Sequence, residues 1–188
     1  MYDLEKLADY VQYATIIYFN HDRLAELSFS NEVIEVLSNK GIPQNVGLDI
    51  SFKTLDKGGL CELKEVFQEL SNYSGKILDL GKFIYLAEHN NTFILKDFNS
   101  NKIYNYDYEN DIMIYVNQDY ESFLKCVLIL NKKIFEIRTK FPKDYFADHF
   151  DEKILKEIMK EMVDVDSSIN RELSFWSFIF EEIEELRE

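Results

Sequence analysis

The sequence predicts an α+β fold: one domain over residues 1–188, with a central antiparallel β-meander flanked by N-terminal and C-terminal helices. Three observations lead there. The middle of the chain holds short runs rich in Ile, Phe, Tyr and Val, separated by turns of Asn, Asp and Ser. Turns that short join neighbouring strands antiparallel, because a parallel crossover needs a much longer connection. On either side, apolar residues recur at helical spacing, so helices and strands segregate rather than alternate. A chain of 188 residues is long enough to bury roughly 70% of its unfolded surface.

Taken in order, residues 3–20 place Leu4, Leu7, Ala8, Val11 and Ala14 on a helical stripe, with Asp3 as N-cap. A second helix spans 31–39. Ser30 caps it, Phe29 and Ile34 suit a hydrophobic staple, and Gly41 followed by Pro43 stops it. Leu48, Ile50 and Phe52 alternate with Asp49, Ser51 and Lys53, the pattern of a half-buried strand. Gly58-Gly59 forms a flexible turn into a short helix bearing Leu60, Leu63, Phe67 and Leu70 on one face and ending near Asn72.

The meander strands cover 82–87, 92–98, 103–106 and 112–116. His89-Asn90-Asn91, Asn99-Ser100-Asn101 and residues 107–111 connect them, since Asn, Asp and Ser bond local backbone and Asn and Asp tolerate left-handed geometry. A long amphipathic helix follows Asn117, carrying Phe123, Leu124, Val127, Leu128, Ile134, Phe135 and Ile137, with Pro142 beyond its end. Ile154, Leu155, Ile158, Met159 and Met162 mark another helix. The last, over 171–186, is apolar almost all round at Phe175, Trp176, Phe178, Ile179 and Phe180, then turns acidic.

Charge narrows the function. Thirty-five acidic residues against 21 basic leave a net charge of −14. From residue 141 onward the balance is 14 acidic to 6 basic. Such a field repels a phosphate backbone, so no nucleic-acid partner is expected, and an anionic membrane surface is disfavoured for the same reason. It attracts a basic protein and speeds encounter more than it tightens the final complex. No apolar run approaches the ~20 residues that span a bilayer, and Met1-Tyr2-Asp3-Leu4-Glu5 has no signal-peptide character. The expected location is the cytoplasm.

No motif for catalysis, cofactor or metal stands out in the sequence, and neither a small-molecule ligand nor a cofactor is expected. Zinc-protease, nucleophile-elbow, dinucleotide and phosphate-loop patterns are all missing. Cys61 and Cys126 lie far apart among apolar neighbours and read as buried thiols. His21 sits past the first helix, where an imidazole complements the C-terminal dipole, and His89 belongs to a turn. Asp148, His149 and Asp151 come nearest to a metal site, but their position at a helix start suits capping better. An unrecognised carboxylate pair is the remaining enzymatic reading.

One stretch suggests a partner surface: Tyr104, Tyr106, Asp107, Tyr108, Glu109 and Asp111. Tyrosine gives large, rigid contact area, and the acids complement a basic protein. The competing and favoured reading is a solvated hairpin whose tyrosines pack across strands. Burial against the sheet is likewise favoured for the 175–180 segment, because two aromatic faces are costly to leave in water.

The helix closed by Gly41-Ile42-Pro43, Leu80-Gly81 leading into a strand, the strand-turn-strand over 92–106, then Val116-Asn117, Phe123-Leu124 and Trp176 after Phe175 together resemble a known family. It is the SUKH superfamily of bacterial immunity proteins, the Smi/Knr-type domains, and the similarity is greatest to its fourth subfamily. The resemblance covers about residues 32–182. This chain departs from the pattern in having no glycine in Asn99-Ser100-Asn101, and Gln118-Asp119 where a small serine-rich step is usual. The resemblance implies a non-enzymatic α+β domain that neutralises a cognate polymorphic toxin, commonly a nuclease or deaminase acting on nucleic acid. The alternative is a regulatory or scaffold module of the same fold with a housekeeping partner.

Overall fold

The computed structural model describes residues 2–11, 14–67, 82–169 and 174–187. Asp3 accepts a hydrogen bond from the Glu5 N–H and starts a 3₁₀ helix at Leu4–Tyr10, with Leu4 and Leu7 buried. This is shorter than the helix expected over 3–20. Thr15-Ile16-Ile17-Tyr18-Phe19 is a β-branched and aromatic run, which favours extended backbone. Ile16–Ile17 is accordingly a strand, β1, paired antiparallel with β2 (Ile42–Pro43). Asn20 then caps α1 (His21–Glu26) by accepting from the Arg23 N–H. His21 thus opens a helix instead of following one, and the expected interaction with a C-terminal dipole does not form.

Ser30 caps α2 (Asn31–Glu35), which runs on as a π-helical turn over Val36–Lys40. Gly41 ends it at φ +71°, where an added Cβ would lie 2.6 Å from both Ile16 Cγ2 and the Ile17 carbonyl oxygen. Only glycine fits there, because the left-handed backbone and the close approach both exclude a side chain. Next come β3 (Asn45–Val46) and β4 (Ile50–Phe52). Leu48 and Asp49, expected in a strand, have φ of 60° and 57° and make the turn between these two. Gly58 is equally constrained: its carbonyl accepts from the Asn20 N–H at 2.8 Å, so the turn is clamped rather than flexible.

Glu62 and Glu65 form a capping box for α3 (Leu63–Val66). The expected helix face breaks here. Leu60 joins the main core, whereas Leu63 joins a separate cluster with Phe67 beside it. Leu70 and Asn72 lie outside the described residues, as does Leu80-Gly81.

The meander follows as β5 (Phe83–His89), β6 (Thr92–Asp97), β7 (Ile103–Asp107) and β8 (Ile112–Asn117). With β3 and β4 it forms one antiparallel sheet of six strands in the order β3-β4-β5-β6-β7-β8. The polar turns behave as their chemistry predicts: Asn90, Asn91, Asn101 and Asp111 all take positive φ. His89 is a correction. It is the last residue of β5, paired with Thr92, and is buried edge-to-face against Phe175.

One sheet face carries Phe52, Ile84, Ala87, Ile94 and Ile103 into the main core. The opposite face carries Phe83, Tyr85, Phe93, Leu95 and Tyr106, packed with Leu63. Alternation also turns Lys96 toward the core side, alongside Ile94. Its ammonium donates to the Leu27 carbonyl at 3.0 Å and Asn101 Oδ1 at 2.7 Å, and lies over the Phe29 ring. Burial pushes its pKa down, and the two oxygen acceptors and the ring satisfy a cation that would otherwise be stranded.

Three helices close the main core. Asp119 caps α4 (Tyr120–Lys140), Asp151 caps α5 (Glu152–Val165), and Ser174 caps α6 (Phe175–Glu185) through a capping box with Ser177. Phe175, Trp176, Ile179, Phe180 and Ile183 of α6 are buried, while Glu181, Glu184 and Glu185 face solvent. The terminal aromatic segment therefore docks helix to core, as its two-sided hydrophobicity predicts.

Candidate partner-binding site

The hairpin joining β7 and β8 holds every residue singled out for partner contact. Tyr104, Tyr106 and Tyr108 recur at period two, so strand geometry sends all three to the same sheet face. Tyr106 is buried there and donates its hydroxyl to Asp111 Oδ1 at 3.1 Å. Tyr108 is half-buried and stacks on Phe93 with ring centres 5.2 Å apart. Tyr104 meets Phe83 and Tyr115 edge-on at 6.4 and 6.2 Å, the second being its directly paired cross-strand neighbour. Packing across strands accordingly uses much of the tyrosine surface, and the outer edges of Tyr104 and Tyr108 remain in water.

The acids do two different jobs. Asp107 accepts the Asn110 side-chain amide and the backbone N–H groups of Glu109 and Asn110, which sets the turn. Those bonds, led by the Asn110 amide, hold its carboxyl below the usual range. Glu109 and Asp111 are exposed at the tip. Residues 103–118 contain no lysine, arginine or histidine, so three carboxylates share one hairpin without a local basic residue. That arrangement attracts cations and has no acid–base or nucleophilic geometry of its own.

At its other end β8 enters a buried polar cluster. Ile103 faces Asn117, yet the next pair is Tyr104 with Tyr115, so Val116 is an extra residue and the strand bulges. The bulge turns the Asn117 side chain toward the core. Its amide donates to Asp166 Oδ2 at 3.1 Å and to Cys126 Sγ at 3.6 Å, while its oxygen accepts from Trp176 Nε1 at 3.0 Å. Asp166 also accepts from the Gln118 N–H and from Ser168. Burial opposes the charge on Asp166, but the bonds from Ser168, Gln118 and Asn117 outweigh it and lower the carboxyl pKa. This cluster locks β8, α4, α5 and α6 together.

The other candidates fall into structural roles. His149 Nε2 faces Asp144 at 3.1 Å and its ring stacks on Phe141, while Asp151 caps α5. Among the described residues no group of three or more His, Cys, Asp or Glu side chains is gathered for a metal. Cys61 and Cys126 are free and buried, and burial pushes the Cys126 thiol up to about 12. What the sequence reading missed is the exposed rim of β8 itself. Ile112 is 50% exposed, and Met113, Ile114 and Tyr115 are half-buried. A signal was available: short turns leave the last strand of a meander at an edge unless a strand from elsewhere in the chain adds to it, as β4 adds to β5 at the other end.

Fold and site together define an α+β protein whose sheet ends in an acidic, tyrosine-bearing hairpin and an apolar edge, a surface suited to another protein. No curated protein and no solved structure matches the chain. A family model does match, described as SUKH-4 immunity protein, over residues 2–182. The chain belongs to the SUKH-4 immunity protein family. Its Asn117 and Trp176 are hydrogen-bonded to each other in the buried cluster and Val116 is the bulge residue beside them, so the resemblance read from the sequence rests on packing positions. Among the described residues no helix is long and apolar enough to cross a membrane.

Proposed function

We propose that this protein acts in the cytoplasm as the stoichiometric inhibitor of a basic cognate toxin, a nuclease or nucleic-acid deaminase, by covering the groove that holds its substrate. Membership of an immunity family supports a toxin as partner. The observation that carries the finer reading is the grouping of Asp107, Glu109 and Asp111 on one hairpin free of basic residues, in a chain of net charge −14. An enzyme that grips phosphate is basic at its substrate groove, and an acidic inhibitor competes there by the same electrostatics. Tyr104 and Tyr108 supply flat contact area beside the acids, and Tyr106 positions Asp111. The protein itself binds no nucleic acid.

The test is co-expression with the product of the neighbouring reading frame. A neighbour that is toxic alone, tolerated with this protein and recovered with it in equal amounts supports the proposal. A neighbour that neither kills nor co-purifies removes it.

A further inference from the structure

Resting on the toxin-binding reading above, we infer that the partner docks by adding an extended, basic strand to the outer edge of β8 over Ile112, Met113 and Ile114. The sheet order ends at β8, and among the described residues β8 pairs only with β7. A strand at the edge presents unpaired N–H and C=O groups, and soluble proteins guard such edges with charges, prolines, bulges or very short length. The opposite edge follows this rule. β3 has two residues, and the Gly47 N–H just beyond it is held by Asn131 Oδ1 at 2.9 Å. β8 follows it only at its far end, through the bulge at Val116: before the bulge Ile112, Met113, Ile114 and Tyr115 carry neither charge nor proline, and half of the Ile112 surface lies in water. An exposed apolar edge of this kind is a template to which a partner strand can add through its backbone hydrogen bonds.

Charge selects the occupant. Glu109 and Asp111 stand immediately before Ile112, and no basic residue lies nearby in sequence to neutralise them. A second copy of this chain, paired antiparallel at β8, would bring that acidic turn against Gln118-Asp119 of its mate, and each copy carries −14. Like charges facing each other across a strand pair are destabilising. A strand bearing lysine or arginine instead gains attraction along with its backbone bonds.

Two measurements on the full-length protein with the toxin from its neighbouring reading frame test this. The first compares Ile112→Lys with Leu55→Lys. Both residues are exposed apolar side chains, and Leu55 follows β4, from which β5, β6 and β7 separate β8. We expect I112K to weaken toxin binding about tenfold with an unchanged unfolding midpoint, and L55K to bind like the parent. The second is hydrogen exchange: amides within residues 112–114 should slow about tenfold in the complex. If the parent binds but I112K binds equally well, or the amides exchange unchanged, strand addition is wrong while the inhibitor reading stands. If the parent sediments as a dimer that I112K dissociates, the edge serves self-association and the inference falls. A parent that does not bind the toxin at all overturns both.

Discussion

Trp176 Nε1 donates a 3.0 Å hydrogen bond to Asn117 Oδ1, joining the first turn of the last helix to the final residue of the sheet across 59 positions of sequence. Both side chains are fully buried, so neither end has water as an alternative partner. Replacing Trp176 with Phe leaves the Asn117 oxygen without that donor and opens a void. We expect a loss of about 1–3 kcal/mol from the unpaired group, with the void adding to it. Urea unfolding with an unchanged m-value would measure it.

Asp166 makes the same cluster sensitive to acid. Its carboxyl pKa is lower in the folded protein than in the unfolded chain. The stability it contributes is therefore fully present above the unfolded value, near pH 4, and disappears as the pH falls through the folded value. Asp166→Asn should be less stable than the parent at neutral pH, with the gap narrowing on acidification below about pH 4. Unfolding midpoints from pH 7 to pH 3 show whether the two curves converge; parallel curves would remove Asp166 from the acid response.

At Gly41 the backbone at φ +71° and the 2.6 Å approach to Ile16 and Ile17 leave no space for a methyl group. Gly41→Ala should cost more than about 1 kcal/mol, because strain in the folded state outweighs any gain from stiffening the unfolded chain. A thermal midpoint equal to that of the parent would show that β1 and β2 yield without penalty.

The role proposed for the hairpin acids is to steer encounter with the toxin. Glu109 is exposed, and reversing its charge leaves the Asp107 turn bonds intact. Glu109→Lys should slow association with a basic toxin several-fold at low ionic strength, roughly the effect expected of a steering charge. The difference should shrink as salt screens the field, and dissociation should change little. Stopped-flow association measured across a salt series distinguishes this from direct contact, which would raise the dissociation rate instead.

The amino-acid order alone determined the helix caps at Asp3, Ser30 and Asp151, the stop at Gly41, and the strand-and-turn rhythm of the meander. These depend on groups within a few residues of one another, and side-chain chemistry settles them locally. Family membership was legible for a related reason, since Gly41-Ile42-Pro43, Val116-Asn117 and Trp176 occur in a recognisable order. Only the tertiary structure decided what those residues do. A single extra residue at Val116 turns Asn117 from the face its alternation predicts into the core, where Trp176 and Asp166 satisfy it. The helix expected over 3–20 stopped at Tyr10 because a strand partner at Ile42–Pro43 was available to Ile16–Ile17. The site divided along the same line: the sequence showed the tyrosines and acids of the β7–β8 hairpin, but strand pairing buried Tyr106 and left Ile112 in water. Burial depends on which segments meet in space, and that is a property of the whole fold rather than of any local stretch of chain.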